Sequence, residues 1–223
     1  MEANPSVKED RSQNRSKLMI LGLILTILFF SLAAILAAKN IQAGKEADKN
    51  TRALAVSLLS AMDEAPAIPE NYPEEIVPDY ILDPDREMPV VEIDGVACIG
   101  ILSFPDRDLT FPVASKWSYD DLEKAACRYW GSVYKDDAVL FAHNYEGQFD
   151  FLPELKPGEK VIFTDMDQNE FQYEMISGAT LWPRQTKEMV SKDDANWDLT
   201  LFTCTTWGEA RITVRLARTS PEK

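Results

Sequence analysis

The pattern of hydrophobic and polar positions changes character several times along the chain. Leu18 to Ala38 reads LMILGLILTILFFSLAAILAA, an unbroken apolar run without a charge. Such a run is long enough to cross a bilayer as one helix, and longer than the apolar core of a typical secretory signal. Small residues near Ala37 and Ala38 keep a cleaved signal as the alternative. From Ala43 to Met62 the residues Ala53, Leu54, Val56, Leu58 and Leu59 sit among charged and small ones, which predicts a juxtamembrane helix or stalk. Between Met62 and Pro89 lie six prolines (Pro66, Pro69, Pro73, Pro78, Pro84 and Pro89) among mostly acidic residues, with Arg86 the only base. Proline removes backbone donors and like charges repel, so an extended spacer is expected. The apolar pair Ile81-Leu82 ahead of Asp83-Pro84 makes a lid the alternative.

The remainder reads as short strands separated by turn signals. Val90–Ile93 and Ala97–Leu102 flank Asp94-Gly95, a hairpin pair. Phe111–Ala114 is a further strand, and Ser118 is placed to cap a helix over Tyr119–Ala126 with Asp120 and Asp121 in its first turn. Ala138–Ala142 is a strand that ends at His143. Lys160–Thr164 and Glu170–Ile176 flank the polar turn Asp165 to Asn169, and Leu199–Thr203 and Ala210–Leu216 flank Cys204-Thr-Thr-Trp-Gly208. Many short strands and few helices predict an all-β domain with minor helices, a closed or nearly closed barrel. The expected organisation is a cytoplasmic tail over 1–17, a transmembrane anchor over 18–38, a juxtamembrane helix over 39–61, an acidic Pro-rich linker over 62–88 and a catalytic domain over 89–223.

Charge narrows the partners. A net charge of −14 argues against nucleic acid, whose phosphates need Lys/Arg patches. Bases on both flanks of the apolar run, Lys8, Arg11, Arg15 and Lys17 before it and Lys39, Lys45, Lys49 and Arg52 after it, leave the positive-inside rule without a decisive bias. The short tail and the large acidic domain favour an N-terminus inside and the globular part outside the cell. Cys98, Cys127 and Cys204 are an odd number, so at least one thiol is unpaired within the chain, and spacing does not choose among the three intrachain pairings. Neither a Gly-rich phosphate loop nor a C-x-x-C pair is present, and no cofactor or metal is expected. Asp165 and Asp167 suggest calcium at first sight, but the loop lacks the Gly and Glu of an EF-hand and reads as a hairpin turn.

Three residues could carry chemistry. His143, the only histidine, stands where an apolar strand turns polar, in AVLFAHNYEGQF. Imidazole is the usual acid/base near neutral pH, although a lone histidine is more often structural. Cys204 closes LTLFTC; a free cysteine is either a buried, inert residue or a thiol nucleophile, and its strand alternation does not separate the two. In RITVRLAR, Ile212, Val214 and Leu216 alternate toward a core, while Arg211 and Arg215 face solvent or a groove. The short loop from Cys204 to Arg211 brings those two close if the strands are antiparallel neighbours. Together a thiolate, an imidazole and a permanently charged guanidinium suffice to attack a carbonyl, exchange a proton with an amine and stabilise an oxyanion. No Asp or Asn is evidently placed to complete a papain-like triad.

These segments resemble the sortase family. LTLFTC at Cys204 followed by Arg-Ile-Thr-Val from Arg211 is similar to the family's T-L-x-T-C and R-x-x-V pattern; LFAHNY resembles the histidine strand; FLPELKPGEKVIFTDMDQNEFQYEM, ACIGILSFP and AACRYWGS resemble further family segments in the right order. The resemblance covers about Pro89 to Arg218. It implies a sortase-like eight-stranded β-barrel, an acyl-enzyme on Cys204, an acid/base at His143 and an oxyanion or substrate contact at Arg211. It also implies cleavage of a sorting signal, often near LPxTG, in a surface protein, and transfer to an amine such as a peptidoglycan precursor or a pilin lysine. Thr203 is a weaker candidate for substrate contact, because the strand alternation points it away from Cys204, and Cys127 is expected to be a packed residue. Thr180 to Trp197 is expected to shape substrate choice. The polar TSPEK end, in place of the second span common in pilin-joining relatives, favours wall anchoring. A cysteine peptidase using water, or an inactive extracellular barrel that binds peptide or wall, are the alternatives.

Overall fold

The computed structural model describes residues 5–64, 77–190, 196–206 and 208–219. Residues 65–76 of the expected linker, 191–195 in the loop before the strand that ends at Cys204, Trp207 and the two ends of the chain therefore lie outside the described residues. Helix α1 runs Pro5–Asp63, and the chain divides into two compact units, Met1–Ala43 and Gly44–Lys223. In the first unit Leu18 to Leu36 expose apolar side chains on every side, and the helix is long and apolar enough to cross a membrane.

In the second unit the sheet begins with a hairpin. Strands β1 (Val91–Ile93) and β2 (Val96–Phe104) pair antiparallel across Asp94-Gly95, both at positive φ (49° and 77°). That conformation matches the right-handed strand twist and favours the Asp-Gly pair. The strands that follow are β3 (Leu109–Ala114), β4 (Ala126–Trp130), β5 (Ala138–Phe141), β6 (Lys160–Asp165), β7 (Glu170–Leu181), β8 (Leu199–Cys204) and β9 (Arg211–Arg218). Their order is β2-β3-β4-β5-β8-β9-β7-β6, and β6 pairs back onto β2, so eight strands close a barrel and β1 extends one edge. Closure removes the free edges an open sheet would expose.

The helix expected over Tyr119–Ala126 is one turn, α3 (Tyr119–Leu122), after the one-turn α2 (Asp79–Leu82). The Asp121 amide donates to Ser118 Oγ at 3.0 Å, as a cap should. Propensity would continue the helix, but Ala126 and Cys127 pair with Val113 and Ala114 as β4, and tertiary pairing wins.

The barrel interior is filled by Phe104, Phe149, Phe163, Phe171, Leu140 and Leu201 with their neighbours. A second apolar cluster lies outside it, where Leu54 and Leu58 of α1 pack on Val96, Cys98, Ile101 and Cys127. Strand β2 therefore reads as a nearly continuous apolar run, because both of its faces are covered. The last part of the Pro-rich segment also packs on the barrel: Tyr80 stacks on Tyr134 with centroids 5.0 Å apart, and Met88 joins the interior. The Asp165 carboxylate organises the β6–β7 turn, accepting the amides of Asp167 and Asn169, each at 2.9 Å, and the Tyr134 hydroxyl at 2.7 Å.

The docked part of α1 makes a testable demand. Leu58→Ala, at a position 0% exposed, is expected to destabilise the second unit by about 2–5 kcal/mol. Val56→Ala, 65% exposed on the same helix, is expected to stay within about 0.5 kcal/mol. Urea unfolding of the full chain in detergent, followed by tryptophan fluorescence, reads both.

Candidate active site

Strand register brings the three candidate groups together. β5 and β8 are parallel neighbours with Phe141 opposite Phe202. Side chains alternate along a strand, so two residues further on His143 and Cys204 sit at the same end and on the same side as that phenylalanine pair. β8 and β9 are antiparallel with Cys204 opposite Arg211. The β8–β9 connection is tied by the Thr205 amide donating to Ala210 O (3.0 Å) and the Ala210 amide donating to Thr205 Oγ1 (3.1 Å). His143, Cys204 and Arg211 all line one cleft of about 310 Å³.

Thr203 has the opposite parity. It is 1% exposed, lies outside the cleft lining, and its hydroxyl donates to Ala142 O at 2.9 Å. Thr203 thereby ties the cysteine strand to the backbone just before His143.

The cleft wall is largely aromatic. Phe141 and Phe202 stack at 5.0 Å and 6°, Tyr129 meets both edge-on, and Trp117 meets Phe141 edge-on. Trp182, Pro183, Thr186 and Met189 add to the lining from the segment after β7, which carries the one-turn α4 (Lys187–Val190). Arg215, readable in sequence only as a residue facing solvent or a groove, braces this segment. Its Nη2 donates to Glu188 O at 3.2 Å and its guanidinium lies 4.0 Å from the centroid of the Trp197 ring. The described part of the Pro-rich segment, 77–88, contributes no residue to the cleft lining.

His143 is half-buried and stacks on Tyr145 at 4.5 Å; its Nε2 lies 3.5 Å from Glu123 Oε1. Burial pulls the imidazole below its ordinary 6.5, opposed by attraction to Glu123. The Tyr145 phenol is pushed up by burial first and then by the nearby Glu123 carboxylate. The Arg211 Nη1 donates to Gly208 O and Ala210 O, each at 3.2 Å, and among the described residues these are its hydrogen bonds. Glu123, Tyr145 and the aromatic wall were not identified from sequence. Tyr145 stands two residues after His143, but Glu123 reaches it only through the fold.

The other two thiols are separate from the cleft. Cys98 and Cys127 both pair with Ala114 on the strand between them, so two strand spacings, about 9–10 Å, separate their backbones. That exceeds the reach of a disulfide, and both are free. Burial pushes each thiol up to about 12.

With this geometry established, comparison with known proteins identifies the class. The sortase domain model matches residues 102–219, more than half of the chain, and the chain belongs to the sortase family. Sortases are cysteine transpeptidases that act on sorting-signal substrates, and members are usually membrane-anchored. No curated protein matches the sequence. Among solved structures, the chain is similar to sortase C1 of Streptococcus agalactiae at 22% identity, covering 67% of this chain and 80% of that one with a TM-score of 0.52. It is similar to sortase C of Streptococcus pneumoniae at 21% identity, covering 80% and 89% with a TM-score of 0.51. Sortase A from Corynebacterium diphtheriae is matched at 21% identity, covering 83% and 96% with a TM-score of 0.51. These likenesses show the barrel fold, in keeping with its closed ring of eight strands.

Two outcomes follow. The lone histidine gives a single Cε1–H resonance, expected to titrate below 6.5 and lower still in Glu123→Gln, which removes the attraction for the imidazolium. Stability from keeping this ring neutral is therefore complete above the unfolded value, is lost as pH falls through the interval down to the folded value, and changes no further below it. Iodoacetamide on the native full chain should add one label, on half-buried Cys204, and none in Cys204→Ala, as read by intact mass.

Proposed function

We propose that this chain is a membrane-anchored transpeptidase in which Cys204 is the nucleophile, His143 the acid/base and Arg211 the oxyanion or substrate contact. The observation that carries this reading is the shared register of β5, β8 and β9, which gathers thiol, imidazole and guanidinium at one cleft.

Burial disfavours the imidazolium and holds His143 below its ordinary value, so the ring is a proton acceptor near neutral pH. Cys204 gives its proton to His143 as Sγ attacks the scissile carbonyl carbon. Arg211 faces the oxygen as it becomes negative, and Glu123, 3.5 Å from Nε2, steadies the transient imidazolium. The C–N bond breaks, His143 returns the proton to the leaving amine, and a thioester remains on Cys204. An incoming amine loses a proton to His143, attacks the thioester and expels the thiolate, which recovers that proton.

The aromatic wall of Trp117, Tyr129, Phe141, Phe202 and Trp182 suits an apolar residue of an extended sorting peptide. The acceptor is an amine, from a peptidoglycan precursor or a pilin lysine; sortase C of Streptococcus pneumoniae, a structural neighbour, has pilin substrate specificity. The catalytic domain faces the outside of the cell, with the apolar part of α1 as its single span.

The test is intact mass of the full chain in detergent after incubation with a library of sorting-signal peptides. A mass gain that Cys204→Ala lacks, and that an added amine discharges as a new amide product, is the expected result. Discharge by water alone, unchanged by any amine, would make the protein a peptidase. No adduct with any peptide, on a chain whose Cys204 still alkylates, would sink the covalent mechanism.

A further inference from the structure

Gln148 is 1% exposed, and its side-chain bonds reach three separate elements. Its Oε1 accepts the backbone amide of His143 at 3.1 Å. Its Nε2 donates to Leu122 O at the end of α3 (3.1 Å) and to Thr51 Oγ1 of α1 (3.3 Å). Thr51 is itself 1% exposed. A buried amide is costly without partners, and this one is satisfied only while α1, α3 and the histidine segment are all in place.

Two close approaches on the same helix support this link. Gly147 has φ +83°, and a Cβ there would run into the Asp48 carboxyl. Gly44 lies against Tyr145, since a Cβ on Gly44 would come 3.7 Å from Tyr145 Cβ, and Tyr145 stacks on the His143 ring. One face of the helix, Gly44, Asp48 and Thr51, thus covers Tyr145, Gly147 and Gln148 in turn, at the three- and four-residue spacing of a helical stripe.

We infer that the Gly44–Asp63 part of α1 is a positioning element for His143, acting from Thr51 through Gln148 to the His143 backbone and from Gly44 through Tyr145 to the ring. The inference rests on His143 being the acid/base. Thr51 and Gln148 are positioning residues and touch no substrate. Their effect is on where the imidazole sits relative to Cys204, and a misplacement of about 1 Å costs on the order of a hundredfold in rate.

The test uses the full chain in detergent micelles with Thr51→Val, Thr51→Ser, Gln148→Met and exposed Val56→Ala as the control. Two readouts need no peptide: the Cε1–H resonance of the lone histidine, and the pH profile of Cys204 alkylation by iodoacetamide. The third is kcat and KM with any peptide that forms the acyl-enzyme. Thr51→Val is expected to shift or split the His143 resonance, to displace the alkylation profile and to lower kcat about tenfold with KM unchanged, and Gln148→Met to do so about a hundredfold. Thr51→Ser, which keeps the acceptor oxygen, should restore all three, and Val56→Ala should match wild type. A His143 resonance and alkylation profile unchanged in both Thr51→Val and Gln148→Met overturns the inference. So does a loss of folded signal that Thr51→Ser shares with Thr51→Val, which would trace the effect to packing of the Thr51 methyl and not to the bond. Absence of an acyl-enzyme in the wild type would instead overturn the proposed function, with the two peptide-free readouts still deciding the link from helix to histidine.

Discussion

The parallel pairing of β5 with β8 is the constraint on which the site depends. Phe141 opposite Phe202 determines both the level and the side on which His143 and Cys204 emerge, and a slip of one residue would turn one of them into the barrel. Parallel strands need a long crossover, and here that crossover contains β6, β7 and the segment that forms one side of the cleft. The same topology that brings His143 and Cys204 to one end therefore also delivers part of the cleft wall beside them. The phenylalanine pair holds the register from outside the barrel, while Leu140 and Leu201 hold it from inside.

Electrostatics inside this frame separate three thiols of one chain. Cys98 and Cys127 lie in an apolar layer between sheet and helix, where a thiolate has neither water nor a cation. Cys204 stands opposite an arginine at the rim of a cleft that a histidine shares. The histidine is held between opposing influences, burial against its charge and Glu123 in favour of it. Burial prevails, so the imidazole is held below its ordinary value, beside a carboxylate. Membership of the sortase family and the closed barrel agree with this arrangement.

The helix after the apolar run belongs to the same compact unit as the barrel. Leu54 and Leu58 cover the outer face of β2, and the face beside them covers the residues that follow His143. One helix therefore contributes both to stability and to the setting of the histidine. Burial of its leucines supplies the free energy, and the Thr51–Gln148 bond supplies the geometry.

Much of this was legible in the sequence because it depends on local pattern. The uncharged run Leu18–Ala38, the Asp94-Gly95 hairpin, the alternation of Ile212, Val214 and Leu216 and the motif ending at Cys204 are each encoded in neighbouring residues. Periodicity also pointed Thr203 away from Cys204, and its hydroxyl indeed turns to Ala142 O. Other features depend on residues far apart in the chain. Glu123 beside His143, Thr51 beneath Gln148, the stacking of Phe141 on Phe202, and the separation of Cys98 from Cys127 arise only when the barrel closes and the helix docks. The helix expected through Ala126 failed for the same reason, since its last residues are claimed by pairing with β3. Sequence by itself determined the long apolar run, most of the strands and the candidate reactive residue types, because each follows from local hydrophobicity and chemistry. Tertiary structure alone decided which of those residues meet, because register and burial are properties of strands and helices that the chain brings together from a distance.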